Sequence, residues 1–236
     1  METESSLQTE KHPKAWLGII WVVLFFILDT IGQFFAIFPP VIEAIQSGRS
    51  VEATLDTIQI SWYFNAAEAF AIAVVLFLAY LTGMKFFSLR PFTKKVWFQF
   101  IWISLATLIL SSGVEVLINY LSPDFTTANQ SGLEEMIIQA APLTIFVSVV
   151  ILAPIVEEVI FRGFVMKIIF WKYPKIGFVV STLLFTFAHI PTNFSSFLIY
   201  FVMAFGLALM YYKTKRLEAC ILLHFANNLI AFFFLF

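Results

Sequence analysis

Glu157-Glu158-Val159-Ile160-Phe161-Arg162 places two adjacent carboxylates and an arginine inside an apolar run long enough to cross a membrane. An ionised side chain at the centre of a bilayer costs roughly 2.5–3.5 kcal/mol on insertion scales. Three uncompensated ones would cost about 8–10 kcal/mol. A segment that carries them and still inserts must turn them toward partners or trapped water. Ionisable groups at such depth are functional-site candidates by default. Two more, His189 and His224, lie downstream, each within its own apolar segment.

The rest of the chain supports that setting. Of 236 residues, 61% are hydrophobic and 12% charged, with mean hydropathy +0.91, where a soluble domain carries about 25% charged residues. The 30 phenylalanines suit a lipid-facing surface. A net charge of −1 gives no basic field for nucleic acid. The single cysteine, Cys220, excludes an intrachain disulfide. The first apolar run is too long for a signal-peptide core and reads as a retained span.

A span needs about 20 apolar residues. By that measure the chain is an all-α, polytopic transmembrane helix bundle of about seven spans: 16–38, 58–82, 96–120, 142–166, 176–190, 194–212 and 217–236. The fourth is expected to run on to Lys172, because Pro174 is the next breaker. The fifth is short and ends at Pro191, so a full crossing is not required of it. The organisation expected is a cytoplasmic tail over 1–15, three spans and loops over 16–140, and a catalytic core over 141–236, all one membrane domain.

Loop charge orients the bundle. Lys11, Lys14, Lys85, Arg90, Lys94, Lys95, Lys172, Lys175, Lys213, Lys215 and Arg216 fall on one side of this arrangement. Glu43, Glu52, Asp56, Asp124, Glu134 and Glu135 gather on the other, with Arg49. The positive-inside rule then puts the N-terminus in the cytoplasm of a multi-pass cell-membrane protein. A hairpin hidden in 121–142 would alter the count.

Helix geometry sorts the charges. Successive residues lie about 100° apart, so Glu157 and Glu158 cannot both squarely face one point. Glu158 and Arg162, four apart, share a face and are expected to form a structural ion pair. Glu157 has Phe161 at that offset and is left for chemistry. His189 closes Phe185-Thr186-Phe187-Ala188-His189 just before Pro191. His224 and Asn228 are four apart on the last span, and both can donate hydrogen bonds. Taken singly, each has a plain structural reading: a charge cluster at an interface, a helix-end histidine, glue between spans. Taken together they are a parts list for hydrolysis. Glu157 takes a proton from water, His189 orients or shares it, and His224 with Asn228 holds the oxyanion. Cys220, four before His224, allows a Cys/His dyad, though a lone cysteine in an apolar span is more often a packing residue. Asp29 with Gln33, and Asn65 with Glu68, also stand at helical spacing and read as interhelical hydrogen bonding.

Here the sequence resembles the CPBP family of intramembrane proteases, which includes type II CAAX prenyl endopeptidases and bacteriocin-immunity (Abi) proteins. Its pattern of EExxxR, FxxxH and HxxxN appears as Glu157-Glu158-x-x-x-Arg162, Phe185-x-x-x-His189 and His224-x-x-x-Asn228, in order and on separate spans, within a resemblance covering 144–236. The resemblance implies a membrane endopeptidase whose catalytic set is Glu157, Glu158, His189, His224 and Asn228. Its substrate would be a peptide or membrane protein met in the bilayer. The water-activating chemistry requires no cofactor. Glu157, His189 and His224 are nevertheless a His₂Glu set of the kind that holds catalytic zinc, so a zinc or metalloprotease reading stays open although the HExxH motif is absent. The rivals are a non-proteolytic scaffold or resistance and immunity protein of the same fold, and a proton-coupled transporter.

Overall fold

The computed structural model describes residues 14–57, 62–123, 125–127, 130–132 and 141–235. Most of the expected tail over 1–15, the start of the second span, and Lys11, Asp124, Glu134 and Glu135 lie outside them, as does much of the 121–142 stretch. The described residues fold into helices: α1 (Ala15–Ala36), α2 (Phe38–Ser47), α3 (Val51–Thr57), α4 (Trp62–Leu81), α5 (Lys94–Leu121), α6 (Pro142–Ile169), α7 (Pro174–Ala188), α8 (Phe194–Thr214) and α9 (Leu217–Leu235). No strand occurs among them. The protein is a polytopic membrane helix bundle.

The spans differ in detail from the sequence expectation. Residues Ala15–Ser47, α4, α5, α6 and α8 are long and apolar enough to cross a membrane, whereas α7 and α9 are shorter. The first span therefore runs on beyond 38, carried past Pro39 and Pro40 because prolines at a helix start sacrifice no hydrogen bond. The fourth ends at Ile169, three residues short of Lys172, where Phe170 leaves the helical conformation. The 15 residues of α7 reach about 22 Å. That is less than the roughly 30 Å hydrocarbon core, so α7 starts at one end of the bundle and stops inside it.

α6 is the central element, touching α1, α4, α7 and α9. It alternates register. Phe146–Leu152 and Val159–Ile169 wind as wide π turns, and Ala153–Glu158 between them is α-helical with Pro154 near its start. π turns commonly interrupt α-helices at functional sites. Side chains from neighbouring helices bond the carbonyls of this segment. Asn65 on α4 donates to Thr144, Ser181 on α7 to Phe161 and Asn228 on α9 to Val149, at 2.9 Å each. In a membrane such bonds offset what an irregular backbone loses.

The basic loops meet at one end. Arg216 donates to the carbonyls of Ser88 and Arg90 at 3.1 and 2.8 Å, Lys167 to that of Lys85, and the Ser88 amide to Glu218. Gly18 of α1 lies against Ile168 and Ile169 at the same end, where a Cβ would come within 2.9 Å of Ile169.

A buried glutamate, histidine and arginine centre

Glu157, Glu158 and Arg162 project from the middle of α6, on the turn where α-helical winding gives way to π. Arg162 Nη1 lies 2.9 Å from Glu158 Oε1, and both side chains are wholly enclosed. The guanidinium also donates to the Ala204 carbonyl at 3.0 Å and sits 4.7 Å over the Phe185 ring. The pair read from i,i+4 spacing is present.

The structure adds what spacing did not foresee. His224 Nδ1 lies 3.1 Å from the same Glu158 oxygen, while its Nε2 faces Glu157 Oε2 at 4.0 Å. The two glutamates therefore do address one group, one at each nitrogen of a single ring. Their backbones diverge as helix geometry requires, and an imidazole with nitrogens on opposite flanks spans the gap.

His189 approaches from the end of α7. Its amide and that of Ile190 close the last turn on Thr186 and Phe187. Ile190 takes a left-handed φ of 48°, and Pro191 follows, so the helix cannot continue. Nδ1 of His189 lies 2.9 Å from the Phe185 carbonyl. A carbonyl only accepts, so Nδ1 carries a proton, and Nε2 faces Glu157 Oε2, 3.9 Å away.

Glu157 Oε2 is thus addressed by two imidazole nitrogens, yet is buried without a hydrogen-bond partner among the described residues. Gaps of 3.9 and 4.0 Å exceed a direct hydrogen bond. Catalytic zinc would need Glu157, His189 and His224 each about 2.0–2.2 Å from a common point. Among the described residues no three His, Cys, Asp or Glu side chains are so grouped.

Two residues of this centre escaped the sequence reading in their roles. Phe185 is its hub. It stacks on His189 with centroids 4.7 Å apart, touches His224 at 5.6 Å and Phe161 at 5.3 Å, and lies under Arg162. Tyr200 of α8 stacks on His189 as well, at 4.7 Å and 29°, and its hydroxyl donates to Thr127 at 2.7 Å. An aromatic four residues before a histidine was a usable signal for Phe185. Nothing local marked Tyr200, which comes from another helix.

Asn228, expected beside His224 at the oxyanion, makes its bonds to α6 and to its neighbour. Its amide donates to the Val149 carbonyl, and its oxygen faces Asn227 Nδ2 at 3.4 Å. Cys220 is buried, its thiol directed at the carbonyls of Arg216 and Leu207 at 3.4 and 3.7 Å. Gln33 bonds Asp29 within α1 at 2.7 Å, and Asn65 reaches Thr144 instead of Glu68.

Fold and centre together define a helical membrane protein with a Glu/His/Arg cluster on α6, α7 and α9, in which Glu158, Arg162 and His224 are buried and Glu157 and His189 half-buried. Residues 139–230 match the family described as Type II CAAX prenyl endopeptidase Rce1-like. Similar curated proteins include the UPF0177 protein YvdC of Lactococcus lactis, 30% identical over 104 residues, or 44% of this chain and 40% of YvdC. The UPF0177 protein YaiH of the same organism is 27% identical over 172 residues, 71% of this chain and 70% of YaiH. The protein named "Putative membrane peptidase YdiL", from Bacillus subtilis, is 38% identical over 97 residues, 39% of this chain and 37% of YdiL. The match thus spans about two fifths of YvdC and of YdiL. No solved structure matches the chain. Over residues 139–230 the chain is thus similar to the Rce1-like family, and over about two fifths of its length to a protein named as a putative membrane peptidase.

Proposed function

We propose that the protein is an intramembrane endopeptidase in which Glu157 and His189 activate water against a peptide bond. The observation that carries this reading is the unpartnered Glu157 Oε2, faced at 3.9 and 4.0 Å by Nε2 of His189 and of His224. A water seated there meets a carboxylate and an imidazole nitrogen at once. Its oxygen adds to the scissile carbonyl while its proton passes to Glu157. The C–N bond then breaks, and the same proton moves on to the leaving amine.

His224, gripped at Nδ1 by Glu158, presents Nε2 toward the reacting centre. With both nitrogens protonated it donates to the tetrahedral oxyanion in a site shielded from bulk water. Arg162 fixes Glu158, so the chain Arg162–Glu158–His224 is the scaffold of that donor. The substrate is a peptide or membrane protein, and by the positive-inside rule the basic end faces the cytoplasm of the cell membrane.

Terminal proteomics of cells carrying wild type or Glu157→Ala identifies the cleaved substrate. A reporter bearing that sequence is then incubated with purified protein. Glu157→Gln should lose at least about 100-fold, the contribution of a positioned acid/base group. Cys220→Ala should keep most activity, since its enclosed thiol faces only carbonyls and apolar neighbours. An active Glu157→Gln enzyme would overturn the assignment, as would site variants that preserve a resistance phenotype or a proton-coupled flux. Loss with a chelator and recovery with zinc would recast Glu157, His189 and His224 as ligands.

A further inference from the structure

Pro154 has no amide hydrogen to give. The winding that leads into it is wide: Ala153 N–H bonds the Ser148 carbonyl, five residues back. In that register the next donor, at 154, would serve Val149. The proline withholds it, and the Val149 carbonyl is left without its backbone partner inside a membrane span, where no bulk water can replace it. Asn228 Nδ2 donates to that same oxygen at 2.9 Å.

We infer that Asn228 is a positioning residue whose amide stands in for the hydrogen bond Pro154 cannot make, and so straps the turn that aims Glu157 to the helix that carries His224. One end of this strap, Asn228, is four residues after His224 on α9; the other, the Val149 carbonyl, faces the position of Pro154, three residues before Glu157 on α6. The strap therefore sets the 4.0 Å separation between Glu157 Oε2 and His224 Nε2. General glue between spans would place a polar side chain on any accessible carbonyl. Asn228 selects the one that the proline leaves free.

The test uses the full-length protein as wild type, Pro154→Ala, Asn228→Ala and the double variant. Alanine at 154 restores the missing N–H. Two quantities are read: unfolding in mixed micelles, and kcat and KM on the cleavage reporter. Asn228→Ala should lower kcat about 10–100-fold with KM within about threefold, as a displaced catalytic group does. Its cost should shrink at least about tenfold in the Pro154→Ala background, because the restored N–H takes over the Val149 carbonyl. Equal loss in both backgrounds, in kcat and in unfolding alike, would overturn the inference and return Asn228 to direct oxyanion binding. If Pro154→Ala is itself inactive, the unfolding cycle decides in the same way. If it does not fold, the carbonyl 13C resonance of Val149 does, being shifted by Asn228→Ala if the bond exists and unmoved if it does not. Only the kinetic arm rests on the protease reading. A wild type that cleaves nothing would sink that reading and leave the unfolding cycle standing.

Discussion

Replacing Arg162 with alanine should be among the most destabilising single changes in this protein. Its side chain is wholly enclosed and does three things: it pairs with Glu158 at 2.9 Å, bonds the Ala204 carbonyl at 3.0 Å, and covers the Phe185 ring at 4.7 Å. Truncation leaves Glu158 Oε1 with His224 alone, while Glu158 Oε2 already has no partner among the described residues. Orphaning one member of a buried pair costs about 3–5 kcal/mol. That is about two to four orders of magnitude in the folded-to-unfolded ratio. The assay is unfolding of purified protein in mixed micelles with rising SDS, alongside folded yield in mild detergent. Arg162→Ala should unfold well before wild type, and well before Glu157→Ala, which removes a carboxylate whose Oε2 has no direct hydrogen-bond partner among the described residues. Removing both members, as Glu158→Gln with Arg162→Met, should cost less than the two single changes added together, because neither charge is then stranded. An Arg162→Ala protein within about 1 kcal/mol of wild type, or no weaker than Glu157→Ala, would refute the view that this pair is what makes the span tolerable.

Tyr200→Phe keeps the ring stacked on His189 and should hold kcat within about threefold, whereas Tyr200→Leu should lose about tenfold or more by freeing the imidazole, read on the same reporter. Gly206→Ala would bring a Cβ within 2.2 Å of Thr107 Oγ1 and push α8, with the Ala204 carbonyl that holds Arg162, away from α5. It should cost about 1–3 kcal/mol in unfolding, in part recovered by Thr107→Ala, which removes two of the clashing atoms.

Relations within one helix were legible in the sequence. Glu158 and Arg162 meet because four residues make about one turn, and that spacing held even where the helix changes register. The short fifth span followed from counting apolar residues between Pro174 and Pro191, and the gathering of basic loops from charge alone. These depend only on local periodicity and on the cost of charge in hydrocarbon. Relations between helices were not legible. That His224 reaches both glutamates depends on how α9 is rotated and shifted against α6. That Phe185 and Tyr200 enclose His189 depends on α7 stopping inside the bundle with α8 beside it.

The π winding is the clearest such case. Its wide turns carry i→i−5 bonds such as Ala153 to Ser148, and Asn65, Ser181 and Asn228 from three other helices add side-chain donors to carbonyls along α6. By itself, then, the amino-acid sequence determined which groups enter the membrane and which pair within a helix, because those follow from periodicity and solvation. Only the tertiary structure decided which of them meet across helices and through which atoms, because close contacts such as Gly206 on Thr107, and side-chain bonds to carbonyls a proline leaves open, set the rotation and depth of each helix.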